Sequence, residues 1–233
     1  LIPVGKAVGI KLFADGVLVV SVSPVQGTEE TRSPAKECGL KEGDILLTFN
    51  GEKIRSTEHL QAMLAENGET AAELTVQRDG KTLEVTASPV VCEDGGIRLG
   101  AWIRDSMAGI GTVTYYDPDT GEFGALGHGI TDVDTAQLMP FANGSVLPST
   151  VKAVRKGEHG TAGELRGDFD LTGDLGSLSA NTNSGIFGTL EPDAGSLPLG
   201  EALPVGMARP GPAVIRTNVR GDTVEEFEIQ IQK

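Results

Sequence analysis

The chain has 233 residues, of which 39% are hydrophobic, 22% charged and 4% aromatic, and its formal net charge is −14. That charge excludes nucleic acid and acidic membrane surfaces as partners, because both demand basic patches. No run approaches the apolar length of a membrane span, and glycine, at 32 residues, points to tight turns and short strands rather than long helices.

In chain order, no signal peptide opens the sequence, and Leu1-Ile-Pro-Val reads as the middle of a longer protein. Val8–Leu12 and Val17–Val22 are β-branched runs separated by Ala14-Asp15-Gly16, which predicts a hairpin. Pro34 starts a short helix that Gly39 ends, and Ile45–Phe49 is a strand turning at Asn50-Gly51. A helix is expected from Thr57, capped by Ser56 or Thr57, with Leu60, Met63 and Leu64 at helical spacing and Asn67-Gly68 as its stop. Strands at Ala72–Arg78 and Thr82–Ala87 follow, turned by Asp79-Gly80.

The string Ser33-Pro-Ala, Gly39-Leu40, Gly43-Asp44-Ile45-Leu46 and Asn50-Gly51 resembles the PDZ domains of bacterial proteases, over roughly residues 5–88. The resemblance implies an α+β domain, placed here at 1–90, that captures a peptide by strand addition. The peptide would lie beside Val8, Gly9, Ile10, Lys11 and Leu12, with Leu60 and Leu64 lining its side-chain pocket. His59 is read as a solvated helix residue. A groove closed by its own chain, serving as a brace, is the alternative.

From about Pro89 helical patterns almost vanish. Strands are expected at 96–104, 111–116, 121–126, 144–154, 163–165, 185–190, 202–208, 213–217 and 225–232, the pattern of a barrel or sandwich. Trp102, the single tryptophan, is expected to anchor the core. Asp117-Pro118-Asp119-Thr120-Gly121 forms a turn leading to Gly127-His128-Gly129. A histidine near its reference pKa is the usual proton carrier of acyl transfer when a hydroxyl or thiol lies beside it. Taken alone, a lone histidine is more often structural. Cys38 and Cys92 lack metal-ligand spacing and read as free thiols or one disulfide. His159 sits in a polar loop with no partner at ligand spacing, so no metal site and no cofactor is expected.

Three stretches, Trp102 to Pro118, Phe123-Gly-Ala-Leu-Gly-His-Gly-Ile-Thr-Asp-Val-Asp-Thr135 and Asn183-Ser-Gly-Ile-Phe-Gly188, are similar to the SpoIVB peptidase family of stage IV sporulation serine peptidases. The resemblance implies a mainly β chain, with the PDZ domain followed by a chymotrypsin-like β-barrel peptidase domain at 91–233. It makes His128 the general base. It also implies a protein secreted, or anchored through a segment missing from this sequence, into the space between the two membranes of the developing spore. There such peptidases cleave a membrane-associated regulator and so activate an intramembrane protease.

The family carries its serine in Gly-Met-Ser-Gly-Ser-Pro with an aspartate upstream, and neither string occurs in this sequence. The chain is therefore expected to be a fragment with an incomplete peptidase domain, folded but inactive, its serine and aspartate lying beyond residue 233. Ser184 lacks the glycine-rich frame that exposes a nucleophile. Asp132, Asp134, Asp168, Asp170 and Asp174 are candidates to orient His128, although most are expected to be loop carboxylates. The competing reading is a non-catalytic PDZ peptide-binding protein with a structural His128.

Overall fold

The computed structural model describes residues 1–170, 173–191, 197 and 200–232. Its longer elements, in chain order, begin with β1 (Ile2–Val22), α1 (Pro34–Glu37), β2 (Ile45–Phe49), α2 (Thr57–Asn67), β3 (Ala72–Arg78) and β4 (Lys81–Ala87). There follow β5 (Ala101–Tyr116), β6 (Glu122–Ala125), β7 (Asn143–Arg155), β8 (Glu164–Phe169), β9 (Gly176–Thr182), β10 (Gly185–Leu190), β11 (Gly211–Arg220) and β12 (Thr223–Ile231). The chain is mainly β, as its composition predicts.

Compactness divides the chain into two units that are not consecutive in sequence. A helix-bearing unit takes Phe13–Ser106 and Thr131–Ala142, and an all-strand unit takes Leu1–Leu12, Met107–Ile130 and Asn143–Lys233. The division at residue 90 is one of motifs and composition; β1 and β5 each contribute residues to both compact units.

In the helix-bearing unit β1 pairs with β2 through Val17↔Leu46 and Leu18↔Ile45, and β2 pairs in turn with β3. β3 and β4 form a hairpin closed at Arg78↔Lys81. Its turn residues Asp79 and Gly80 have φ of 50° and 73°, as do Asn50 (50°) and Gly51 (79°) after β2. Two consecutive left-handed residues match the right-handed twist of the flanking strands, which is why Asn-Gly and Asp-Gly occupy both sites. Helix α2 starts where the Ser56 side chain accepts a hydrogen bond from the His59 N–H at 3.1 Å, and it ends at Gly68, φ 67°. Leu60 and Leu64 on α2 pack into a core with Val17, Leu46, Phe49 and Leu74, and each such side chain contributes about 1.5–3 kcal/mol by leaving water. Asp44 is fully buried and held by Arg78 Nε at 2.6 Å and Nη2 at 2.7 Å.

In the all-strand unit the order is β8-β7-β9-β10-β6-β5. β6 lies between β5 and β10, with Ala125↔Ile186 at one end and Glu122↔Thr189 at the other. Phe123, Val113, Val146 and Ile186 are fully buried there. Gly188 is dictated by close approach, since a Cβ on it would stand 2.1 Å from the Ser177 carbonyl oxygen and 2.8 Å from the Phe123 ring. β11 and β12 form a separate two-stranded hairpin whose turn is tied to β7 by two hydrogen bonds between Val151 and Gly221.

Three expectations are corrected, one strand was not foreseen, and one open alternative is decided. Ala14-Asp15-Gly16 does not turn the chain back: β1 continues through it, with Gly16 at φ 87° against the Leu46 carbonyl. Trp102 is 65% exposed rather than a core anchor, because Ala101 and Ile103 take the inward side of β5 and alternation turns Trp102 outward. Residues 202–208 form no strand, and β9 is a strand the pattern reading missed. Cys38 and Cys92 are free thiols.

Candidate active site and peptide groove

His128 lies just past the end of β6, in the all-strand unit. Leu126 and Gly127, at φ 69° and 77°, turn the chain sharply out of the strand. A left-handed leucine is uncommon and must be held by its surroundings. Here the Leu126 N–H donates to the Thr112 carbonyl at 3.1 Å and the Gly127 N–H to the Ala125 carbonyl at 2.9 Å. Beyond His128, the Asn181 side chain clamps Ile130 from both sides, accepting from its N–H at 2.9 Å and donating to its carbonyl at 3.0 Å. The loop is thus pinned two residues before and two residues after the histidine.

The ring itself is exposed, and its Nδ1 sits 3.0 Å from the Gly129 carbonyl oxygen. A carbonyl only accepts, so in this contact Nδ1 is the donor.

The Asn183-Ser184 turn joins β9 to β10 on the same flank of the sheet as the His128 loop. A Cβ at Gly185 would stand 2.9 Å from the Ala125 carbonyl and 3.5 Å from the Gly127 nitrogen. Ser184 is exposed, with its N–H donating to the Thr182 hydroxyl at 3.2 Å. Among the described residues no hydrogen bond joins a serine hydroxyl or a carboxylate to His128.

The acidic candidates have other duties. Asp132, in the helix-bearing unit, is fully buried and accepts from the Asp134 N–H (3.0 Å), the Thr135 N–H (2.9 Å), the Thr135 hydroxyl (3.2 Å) and the Arg104 guanidinium. Burial alone would raise its pKa, but these hydrogen bonds and the nearby cation outweigh that and hold it below the usual aspartate range. Asp134 pairs with Arg104 at 2.9 Å and Asp168 loosely with Lys152 at 3.8 Å. The Asp170 N–H binds the Pro148 carbonyl at 2.9 Å, and Asp174 is exposed. His159 is exposed in its loop, and His59 is partly covered, its Nε2 3.4 Å from Glu52.

A cavity of about 440 Å³ lies in the helix-bearing unit between Leu46, the α2 side chains Leu60, Gln61 and Leu64, and the segment Ile97–Ile103. The structure thus brings Leu60 and Leu64 together and sets Leu99 and the start of β5 opposite them. Val8, Gly9, Ile10, Lys11 and Leu12 fall in the all-strand unit, where Val8, Ile10 and Leu12 are buried. Pattern reading expected a strand at 96–104 but did not set it opposite α2. The Leu99 carbonyl accepts from the Ala35 N–H at 2.7 Å and the Gly100 carbonyl from the Ser23 N–H at 2.8 Å. Gly100, φ 75°, leaves no room for a Cβ, which would lie 2.4 Å from the Ser23 carbonyl oxygen.

In a trans peptide unit the N–H points away from the preceding carbonyl, so the N–H groups of Gly100 and Ala101 face away from Ser23 and Ala35. That of Gly100 has no partner among the described residues. The register of β5 with β6 begins only at Val113, so among the described residues no strand pairs with residues 101–106 on that side. At the end of this stretch the Asp105 carboxylate accepts the Thr57 N–H of α2 at 2.8 Å.

The chain is mainly β, with a cavity between a helix and a strand segment in one unit and an exposed histidine in the other. The model of the SpoIVB peptidase S55 family matches residues 95–233 and that of the PDZ domain matches residues 28–78, and the chain belongs to the SpoIVB peptidase S55 family. Regulator of sigma-W protease RasP of Bacillus subtilis is 32% identical over 114 residues, 48% of this chain and 25% of RasP. A probable periplasmic serine protease do/HhoA-like of Haemophilus influenzae is 38% identical over 82 residues, 33% of this chain and 18% of that protein. The chain spans about a quarter or less of the length of these two relatives. The PDZ domain of the SdrC-like protein Lmo2051 from Listeria monocytogenes aligns over 38% of this chain and 87% of its own, at 18% identity and a TM-score of 0.32.

Proposed function

We propose that the parent of this chain is a secreted serine endopeptidase of sporulation signalling, with His128 as general base and the PDZ domain selecting or gating protein substrates. The observation that carries this reading is the exposed His128 on a loop pinned on both sides, within the S55 match. The family strings that carry the serine and the aspartate do not occur within residues 1–233. The substrate is a membrane-associated regulator whose cleavage activates an intramembrane protease, in the space between the membranes of the developing spore.

Replacing His128 by Ala in the full-length parent is expected to lower turnover by roughly 10⁴-fold or more. Near-normal turnover would contradict the assignment. The 233-residue chain itself is expected to resist a serine-reactive phosphonate, and labelling at Ser184 would place the nucleophile inside it after all. A non-catalytic peptide-binding protein is the second reading. It is favoured by the absence, among the described residues, of any hydroxyl bonded to His128.

A further inference from the structure

The single tryptophan of the chain borders the cavity beside α2 and remains 65% exposed. An indole left in water is costly, and tryptophan is among the side chains that dominate binding energy where proteins meet. The ring is not loose, because Trp102 Nε1 donates to the Ser23 hydroxyl at 3.1 Å. A ring already fixed gives up little conformational freedom when something covers it.

We propose that Trp102 sets the specificity of this groove by stacking on a lysine or arginine of an extended peptide whose apolar side chain fills the cavity over Leu60 and Leu64. The proposal rests on the reading that this cavity is the peptide groove. The sign of the preferred charge follows from the surroundings. Among the described residues Arg98 is the only charged one bordering the cavity, and its guanidinium is already bound to the Asp94 carboxylate. The adjacent first turn of α2 carries Glu58 and takes the Asp105 carboxylate at Thr57. A cation over the face of an indole gains from the ring quadrupole, and the formal net charge of −14 favours a cationic over an anionic side chain. The open side of β5 at residues 101–106 makes the occupant an extended strand rather than a free amine.

Because Trp102 is the only tryptophan, its emission reports directly on the site. The 233-residue chain would be titrated with octapeptides of alternating valine and serine carrying one lysine, glutamine or glutamate stepped through each position. Binding would be read by calorimetry and by tryptophan emission. At one position lysine is expected to bind roughly fivefold more tightly than glutamine, and glutamate more weakly than either, with a shift in emission. In Trp102→Leu, shown to be folded by circular dichroism, the lysine preference is expected to vanish while the glutamine peptide binds as before. Retention of the preference in Trp102→Leu overturns the proposal, as does tight binding that is blind to the charge of the stepped residue. Binding that is lost in Leu64→Asp yet leaves Trp102 emission unchanged keeps the groove and removes the role of Trp102. Absence of binding by every peptide overturns both.

Discussion

The two units close their apolar surfaces to different degrees. In the helix-bearing unit the strands, α1 and α2 share one core, in which Leu46, Ile54, Leu60 and Leu74 are at most 1% exposed, and the buried Asp44 and Asp132 each have an arginine. In the all-strand unit the β11–β12 hairpin leaves Ile215, Phe227 and Ile229 36–47% exposed, and its register sets Ile215 opposite Phe227. Residues that pair directly across two strands share a face, so this is one apolar patch rather than scattered side chains. The difference teaches that the cavity beside α2 is built into a closed core, whereas the unit bearing His128 presents apolar sheet on its β11–β12 hairpin.

The largest expected effect strikes the closed core. Leu60→Ala removes buried methyl groups beside Leu64 and Leu46 and is expected to cost about 2–5 kcal/mol in denaturant unfolding. A loss below about 1 kcal/mol would mean that α2 is not part of the core.

Next is Arg104→Met, which leaves the buried Asp132 carboxylate without its cation, at an expected cost of about 2–4 kcal/mol. Its pH dependence has a definite sign. The Asp132 pKa is lower folded than unfolded, so its stabilisation is complete above the ordinary aspartate value of about 3.9 and is lost as pH falls through the folded value. Asp132→Asn is therefore expected to flatten the loss of stability below pH ~4, measured by urea unfolding at stepped pH. An unchanged acid limb would contradict the account of Asp132.

The smallest effect is expected on the open hairpin. Phe227→Thr removes half-exposed surface and should change unfolding stability by less than about 0.5 kcal/mol. Light scattering should nevertheless fall, because the apolar patch is smaller. A loss of several kcal/mol would show that the hairpin is core after all.

The sequence discloses these regions unevenly, for physical reasons. Asn50-Gly51 and Asp79-Gly80 are legible because their left-handed φ values are local demands, and α2 is legible from the Ser56 cap and the Gly68 stop. The continuity of β1 through Asp15-Gly16 is not, because strand pairing with β2 overrides a local turn signal. β9 escapes notice because Ser177 and Ser179 alternate with small or single apolar residues. His128 stands out between two glycines, yet the bond from Nδ1 to Gly129 is a feature of geometry alone. The segment facing α2 depends on contacts between Leu99-Gly100 and the distant Ser23 and Ala35, which no local pattern announces.

Under the proposed function, catalysis and peptide selection reside in separate groups, His128 and the α2 groove. The most direct test compares His128→Ala and Leu64→Asp in the full-length parent, both confirmed as folded, on a protein substrate and on a small ester. His128→Ala is predicted to abolish turnover of both, and Leu64→Asp to slow the protein substrate while sparing the ester. Faster protein cleavage by Leu64→Asp would make the groove a self-inhibitory brace rather than a substrate site, and full ester turnover by His128→Ala would contradict the account at its base.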